Sequence, residues 1–372
     1  MCSPGDGSIP PPPKQKPIRN HIRTVPAHIP QPQIVPQEPE RQPVDVLMTE
    51  AKALADRLRV NVLRILKEDS YGVLELCQIL NVAQPALSHH LKVLFEAGLV
   101  ARRREGSTIF YRRAPATTEL RRAMLAAVDT MTLPEQQLIQ VDHLHTERNR
   151  RSKAFFAQHA HDFALQQARI SDALVYLPSV VELIDRALTA DVERAGSRSA
   201  DADSAGAISA GATTALEIGP GDGELLRLLA SRFTHVVGID NQPAMLERCA
   251  AIPAALPNVR LLCRDFASLP SIARYRLVVA AMVMHHLASP ARMFQHARRL
   301  VSPGGMFVVV ELGRHDHEWV REACGDLWLG FESQELLDWA TGAGFTRVES
   351  QFLAQRNGFQ IQIHGFRNTN TN

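Results

Sequence analysis

The chain has 372 residues, 45% of them hydrophobic, and a formal net charge of +2, so it is long enough for two or three domains and any nucleic-acid surface must be local. Five scattered cysteines without a CxxC pair argue against a disulfide scaffold and a zinc ribbon. No apolar run reaches membrane-spanning length and the N-terminus lacks a signal-peptide core, so we expect a cytoplasmic protein without a membrane partner.

The first segment is rich in proline. Residues 1–45 contain Pro10–Pro13 and almost no large apolar side chain. Such a segment cannot bury enough surface to offset the entropy of ordering it. We therefore predict a disordered tail without an assigned function. A peptide ligand for a proline-binding partner is the alternative.

Residues 46–115 have the pattern of a small helical domain that ends in a hairpin. Apolar side chains at helical spacing predict three helices, over residues 51–68, 73–80 and 84–98. Pro85 suits the first turn of the third helix, and Gly98 suits its end. Two runs of alternating polarity then flank Glu105-Gly106-Ser107, which predicts a hairpin. Helix, helix, turn, helix and hairpin together make a winged helix-turn-helix.

The third predicted helix contains a recognisable sequence motif. Gln84-Pro85-Ala86-Leu87-Ser88-His89-His90-Leu91-Lys92-Val93-Leu94 resembles the recognition helix of the ArsR/SmtB repressors. If its leucines face the core, the opposite side chains can meet base edges and phosphates in a major groove: Gln84, Ser88, His89 and Lys92. The hairpin adds arginines suited to phosphate contact: Arg102, Arg103, Arg104 and Arg112, with Arg113 beside them. The resemblance implies double-stranded operator DNA and a homodimer; a protein-binding winged helix is the alternative.

The same resemblance argues against metal sensing. Metal-sensing relatives carry two cysteines in the second helix, whereas this chain has Cys77 alone, and soft metals need two or three thiols. His143 and His145 occur where some relatives bind zinc, but a helix places them on different faces. We therefore expect no metal and treat Cys77 as a small buried apolar residue.

Residues 116–195 predict connecting helices. One helix is predicted over residues 117–130, and a second begins with a capping box at Thr132–Glu135. In ArsR relatives the corresponding helices form the dimer. A stretch rich in Ala, Ser and Gly, residues 196–214, predicts a flexible linker.

From residue 215 to 369, strands and helices alternate, which predicts an α/β doubly wound sheet. Leu216-Glu217-Ile218-Gly219-Pro220-Gly221-Asp222-Gly223 predicts a strand, a glycine turn and a helix start. The third glycine comes one residue earlier than in a dinucleotide fingerprint. The run resembles motif I of the class I S-adenosylmethionine (SAM) methyltransferases. The family implies a Rossmann-like, seven-stranded, mostly parallel sheet whose final strand is antiparallel at the edge.

Acidic residues follow the next two strands. Asp240 comes 21 positions after Gly219, where a carboxylate can accept both ribose hydroxyls. Asp265 and Phe266 follow the third strand, where the resemblance implies the adenine side. The implied ligand is SAM or S-adenosylhomocysteine (SAH), and the alternative is that the glycines only make turns. The predicted cofactor residues are Glu217, Gly219, Gly221, Gly223, Asp240, Asp265 and Phe266.

Two groups of residues lie where the crevice of such a sheet opens. His285 and His286 follow the fourth strand, and Glu311 with His315–Glu318 follows the fifth. The histidines are candidates for a metal ligand or a base acting on a methyl acceptor. The alternative, a structural role in fixing loops, is favoured by the resemblance of residues 315–331 to methyltransferase domains fused to ArsR modules. The aromatic run 155–163 resembles the segment that covers the ligand pocket of small-molecule methyltransferases; simple hydrophobic docking is the alternative.

The two resemblances cover residues 46–369 and indicate a fused ArsR–methyltransferase regulator, similar to SAH-responsive repressors. In one hypothesis, SAM or SAH bound to the C-terminal domain changes the DNA affinity of a dimer. In the other, the domain methylates a small molecule and the DNA-binding domain regulates its own operon. Arsenite methylation would need converging thiols, which Cys249, Cys263 and Cys324 do not form in the sequence. We favour the sensor, because the cofactor motifs are intact while the acceptor chemistry cannot be identified.

Overall fold

The structure is a computed structural model that describes residues 43–106, 108–198, 213–271 and 275–369. The predicted tail, up to residue 42, and most of the predicted linker, residues 199–212, lie outside these ranges. From Val44 onward the chain forms a single unit, so both predicted domains belong to it. Among the described residues, no helix combines the length and apolar composition needed to cross a membrane.

The elements are numbered in chain order within the described ranges. The helices are α1 (Pro43–Leu54), α2 (Arg57–Ile65), α3 (Val73–Leu80), α4 (Gln84–Glu96), α5 (Glu119–Asp129), α6 (Glu135–His159), α7 (Phe163–Ile170), α8 (Ala173–Arg198), α9 (Glu224–Ala230), α10 (Pro243–Glu247), α11 (Ile252–Ala255), α12 (Pro290–Leu300), α13 (Trp319–Ala323) and α14 (Ser333–Gly342). The strands are β1 (Tyr71–Gly72), β2 (Val100–Glu105), β3 (Thr108–Arg113), β4 (Thr214–Ile218), β5 (His235–Asp240), β6 (Val259–Cys263), β7 (Tyr275–Ala281), β8 (Val301–Leu312), β9 (Phe345–Ala354) and β10 (Gln360–Asn368). Short 3₁₀ turns follow β6 and β7.

The N-terminal domain is a winged helix. Its small antiparallel sheet has the order β1-β3-β2, and β2 with β3 forms the wing, residues 100–113. Leu87, Leu91 and Leu94 of α4 are buried, as their spacing predicts. The single first helix predicted over residues 51–68 is wrong. Asp56 adopts an extended backbone and accepts a hydrogen bond from the Arg59 N–H at 3.0 Å, which ends α1 and begins α2.

A long helix connects the domains. α6 runs for 25 residues without a break, from Glu135 to His159. Its N-cap is Pro134, which makes no side-chain cap, so the predicted capping box is absent. His145 of this helix is buried and His143 is exposed, in agreement with their expected placement on different faces.

The C-terminal domain contains a seven-stranded sheet with the order β6-β5-β4-β7-β8-β10-β9. Its first five strands in that order are parallel, and β10 is antiparallel to both neighbours. The predicted Rossmann-like, mostly parallel fold is confirmed. The final strand, however, lies between β8 and β9 rather than at the edge. Apolar clusters on the two faces join the sheet to α8 and α9 on one side and to α12 and α14 on the other.

Candidate functional site

A cavity of about 350 Å³ opens beyond the carboxyl ends of β4, β5 and β7. Most of the predicted cofactor residues line it: Glu217, Gly219, Gly221, Asp240, Asp265 and Phe266. The connecting helices contribute Phe156, Phe163 and Tyr176 to the lining. Two residues of the aromatic run 155–163 therefore border this cavity. Polar residues of the same helices that sequence reasoning did not assign, among them Asn149 and Lys153, also line it.

The glycines of the β4–α9 loop have different roles. All three have positive φ angles, between 53° and 77°. A Cβ atom at Gly219 would lie 2.6 Å from Val283 Cγ2, and one at Gly223 would lie 2.1 Å from Ile252 Cδ1, so both positions require glycine for packing. A Cβ at Gly221 would have no atom within 4 Å. Gly221 therefore borders open space, whereas Gly223 caps α9 and is not among the lining residues.

Two carboxyl groups, one buried and one partly buried, lie near the carboxyl ends of β4 and β5. Glu217 is 3% exposed, its Oε2 has no hydrogen-bond partner among the described residues, and burial raises its pKa well above the ordinary value. Asp240 accepts a hydrogen bond from the Gln242 N–H at 2.8 Å. Burial raises the pKa of Asp240 to about 6, against two backbone hydrogen bonds that lower it. Buried polar groups without full hydrogen bonding are costly, so the cavity favours a ligand that supplies donors.

The two candidate histidines occupy different positions. His286 lies in the cavity wall, with its ring centroid 4.9 Å from that of Phe156. His285 lies outside the lining, and its Nδ1 is 2.5 Å from Glu311 Oε1. Burial opposes a charge on His285, but Glu311 and Asp326 outweigh it and raise its pKa to about 9. Burial, with the neighbouring His285, lowers the pKa of His286 well below its usual range.

Glu311, near the end of β8, and the residues that follow this strand up to 318 do not line the cavity between β4, β5 and β7. Glu311 accepts hydrogen bonds from the backbone N–H groups of His285 and Leu312, so it fixes the loop after β7. His315 lines a separate cavity of about 330 Å³ and packs against Phe359. Burial lowers the pKa of His315 to about 3. The region 311–318, considered above for the substrate side, thus has structural contacts of its own.

The outer face of α4 is open. Gln84, Ser88, His89 and Lys92 are all exposed. On the wing, Arg102 and Arg104 are exposed as well, and the Arg102 guanidinium lies 4.4 Å from the ring centroid of Phe95. The leucines of α4 face inward while these polar side chains face outward, which is the arrangement that a major-groove helix needs.

Arg103 and Arg112 lie on the other side of the wing, against the C-terminal domain. The Arg103 Nη1 is 3.1 Å from Glu335 Oε2, and the Arg112 Nε is 3.0 Å from Glu335 Oε1. Arg103 also pairs with Glu105 at 2.7 Å. In this conformation neither arginine is free for a DNA phosphate, which differs from the sequence prediction. Arg113 is turned inward too, because it binds Leu63 O and Asp129.

A second contact joins the winged helix to the cavity itself. The cavity loop, residues 283–289, contributes Val283, His286 and Leu287 to the cavity lining. Further along the same loop, Ala288 O accepts a hydrogen bond from Arg148 at 3.1 Å, and Ser289 Oγ donates one to Asp69. Arg148 in turn pairs with Glu75 of α3 at 2.6 Å. No sequence signal indicated this connection.

Asp69 belongs to a buried polar group at the start of β1. Its Oδ2 lies 3.1 Å from His145 Nε2, and the same nitrogen is 3.0 Å from the Tyr71 hydroxyl. His145 is therefore engaged with an acid and a phenol of the winged helix.

Comparisons with known proteins match both halves of the chain. Residues 56–102 match the family model described as "Bacterial regulatory protein, arsR family", and residues 215–305 match a "Methyltransferase domain" model. The chain is 38% identical over 79 residues to the HTH-type transcriptional repressor SmtB of Mycobacterium tuberculosis, covering 21% of this chain and 58% of that protein. It is 30% identical over 112 residues to trans-aconitate 2-methyltransferase of Acidovorax sp., covering 29% and 42%.

A solved structure is similar over a longer stretch. It is the 1,6-didemethyltoxoflavin-N1-methyltransferase of Burkholderia thailandensis, with 18% identity, a TM-score of 0.46 and coverage of 61% of this chain and 91% of that one. The chain spans about half the length of the curated relatives it matches. The chain joins an ArsR-family helix-turn-helix domain to a methyltransferase domain.

Proposed function

We propose that the protein is a DNA-binding regulator, a repressor of the ArsR type, whose methyltransferase domain binds SAM or SAH and thereby modulates operator binding. The observation that carries this proposal is the cavity loop. Three residues of this seven-residue loop line the cavity, and its last two residues contact Arg148 of α6 and Asp69 of the winged helix. A displacement of the loop at the cavity would therefore also move its contacts with the winged helix.

The cavity contains groups suited to the ribose, the adenine and the amino group of SAM and SAH. Asp240 can accept the ribose hydroxyls, and the Asp265–Phe266 corner can receive the adenine. The unpaired Glu217 oxygen can accept from the amino group that SAM and SAH share, which would remove the penalty of a buried carboxyl without a donor. Gly221 leaves space for the ligand to pass.

The DNA-binding surface would belong to a dimer. Several large apolar side chains of α1, α5 and the start of α6 are 43–58% exposed: Val44, Leu47, Met48, Leu120, Leu138 and Ile139. α1 and α5 are neighbours, because Arg121 pairs with Glu50 at 2.5 Å. A homodimer would cover this apolar surface and present two copies of α4 to consecutive turns of DNA.

Ligand control would act on the wing. While the wing is paired with Glu335, Arg102 and Arg104 are exposed and can contact phosphates, whereas Arg103 and Arg112 are held in ion pairs. A ligand changes DNA affinity only through its different affinity for the docked and undocked states, and such couplings are typically about 1–3 kcal/mol. SAM carries a sulfonium charge that SAH lacks, so the two ligands can differ in effect. We propose that SAH releases the operator and that SAM acts more weakly.

The test is a titration of a protein–DNA complex with each ligand. The duplex is selected from a random pool by the protein itself, and its affinity is followed by fluorescence anisotropy as SAH or SAM is added. The expected result is a roughly 5- to 150-fold weaker affinity with SAH. Asp240→Ala should bind the duplex normally and ignore the ligand. A wild-type affinity that ignores both ligands would remove the sensor function.

An active methyltransferase on a small molecule is the second candidate. It is favoured by the cavity wall at His286, whose ring is held by Phe156 and Phe163. A methyl acceptor could bind there, and a relative named for methylation of trans-aconitate suggests a small organic acid. Incubation with labelled SAM and a metabolite extract separates the two functions. Label transfer to an acceptor would support the enzyme, and tight binding without turnover would support the sensor.

A further inference from the structure

Behind the cavity wall lies a buried cluster of two imidazoles and two carboxyl groups. His285, His286, Glu311 and Asp326 are each 8% exposed or less. One possible ligand atom from each of His285, His286 and Asp326 lies within 4.8 Å of the others. Asp326 comes from the segment after α13, so three separate parts of the chain meet at this point.

The hydrogen bonding of the cluster is incomplete. Neither oxygen of Asp326 has a hydrogen-bond partner among the described residues. Asp326 Oδ1 lies 4.0 Å from His285 Nε2 and 3.7 Å from His286 Nδ1. Both distances are too long for a hydrogen bond. A carboxyl group buried in this way needs a cation or a proton. A protonated His285 alone does not reach it.

We propose that His285, His286 and Asp326 bind a divalent first-row transition ion such as Zn²⁺. Two imidazoles and one carboxylate are a ligand set that suits such ions. Ligand atoms around an ion bound at about 2.0–2.2 Å lie roughly 3–3.5 Å apart. The separations of 3.7 and 4.0 Å from Asp326 would therefore close by up to about 1 Å on binding, and the separation between the two imidazole nitrogens, at most 4.8 Å, by up to about 2 Å. The expectation of no metal, drawn from the lack of paired cysteines, does not bear on a site without thiols.

Glu311 has the position of an orienting partner. Its carboxylate accepts from His285 Nδ1–H and from two backbone N–H groups, which fixes its position. Glu311 would keep the proton on Nδ1, and a bound ion would displace the proton from Nε2, the nitrogen that lies 4.0 Å from Asp326 Oδ1. Carboxylate–histidine–metal arrangements of this kind set the tautomer and raise the basicity of the ligand. The Nδ1 of His286 would release its long contact of 3.4 Å to Gly325 O.

The ion would hold the cavity loop to the segment that carries Trp328. His285 O already accepts hydrogen bonds from the Leu327 and Trp328 N–H groups, and Trp328 Nε1 donates to Leu287 O at 2.8 Å. A metal ion would add a strong bond between the same two segments. The position of His286 in the cavity wall would then depend on metal occupancy. This inference holds whether the protein is a sensor or an enzyme.

The test uses the full chain after treatment with a chelator and dialysis. Co²⁺ is added as a spectroscopic probe, and the expected result is one equivalent bound with new visible ligand-field bands. Asp326→Asn should lose this binding, and Glu311→Gln should weaken it roughly 10- to 100-fold. The matched control is His364→Gln, because His364 is a buried histidine that is bound to Ser350 and Gln362 elsewhere in the sheet.

Thermal unfolding of the wild type provides a readout that does not depend on the variants. Added Zn²⁺ should raise the unfolding midpoint of the chelator-treated protein, because an ion that binds only the folded state stabilises it. The increase in the unfolding midpoint should be smaller for Glu311→Gln than for the wild type, and for His364→Gln it should equal that of the wild type. Absence of stoichiometric Co²⁺ binding by the wild type, or equal affinity in Asp326→Asn, would overturn the proposal.

Discussion

Replacing Glu335 by Gln should release the wing and make DNA binding more sensitive to salt. Glu335 is the acid that meets both Arg103 and Arg112. Gln removes the charge but keeps an oxygen that can still accept from the Glu332 N–H at the start of α14. The substitution is therefore directed at the two ion pairs and preserves the helix cap.

The number of arginines released sets the magnitude. Each phosphate neutralised on duplex DNA steepens the slope of log Kobs against log salt by about 0.9. Release of Arg112 alone would steepen this slope by about 0.9, and release of both arginines would steepen it by about 1.8. Arg103 keeps its partner Glu105, so we expect a value between these limits for each wing. At the upper limit, a rise from 50 to 200 mM salt would weaken binding by about 12-fold more than in the wild type for each wing bound to DNA.

The assay is fluorescence anisotropy with one duplex at several salt concentrations. Glu349→Gln is the matched control, because it makes the same change in net charge but breaks a pair with Arg186, between α8 and β9. The control should keep the wild-type slope. A Glu335→Gln slope equal to that of the wild type would refute the inference that docking withholds these arginines from DNA.

Further outcomes test the recognition helix and the cavity. Ser88→Ala with His89→Ala should weaken specific binding by about 1–3 kcal/mol per lost base contact, and unchanged affinity in a gel shift would contradict the helix-turn-helix assignment. Arg104→Ala should weaken all sequences alike and flatten the salt slope by about 0.9, as measured on random-sequence DNA. Gly221→Ala should abolish SAH binding in calorimetry while the winged helix stays folded, since the added Cβ enters the cavity. The pKa of Asp240 is raised to about 6, and the carboxylate is the form that accepts the ribose hydroxyls. SAH affinity should therefore be constant above pH 6 and fall about tenfold per pH unit below it. Asp240→Asn should abolish this pH dependence.

Local patterns in the sequence predict much of the winged helix. α3 begins and ends at the predicted residues, Val73 and Leu80, because its apolar spacing and the left-handed Asn81 define both limits. The alternation of β2 already separates Arg102 and Arg104 from Arg103, which could have indicated two faces of the wing. What the sequence cannot indicate is the partner on the second face. Glu335 is more than 200 positions away, and only the packed fold brings it to the wing.

The cofactor loop could be predicted for a similar reason. Gly219 and Gly221 lie in one short segment whose conformation depends on glycine, so motif and structure coincide there. The place of β10 was harder to predict, since a hairpin with β9 is compatible with either edge or inner position. Asp326 could not be connected with His285 from sequence. Their approach depends on the path of the chain around α13, where no periodic pattern exists.

The unbroken helix α6 has a mechanical consequence. Its 25 residues span about 37 Å at the usual rise of an α-helix. Near one end Phe156 borders the cofactor cavity, and toward the other Leu138 and Ile139 are exposed on the proposed dimer surface. If a helix of this length tilts by about 10° around its middle, each of its ends moves by about 3 Å. In the proposed symmetric dimer, the two copies of α6 would move together, so a small adjustment around the proposed nucleoside ligand would change the distance between the two recognition helices.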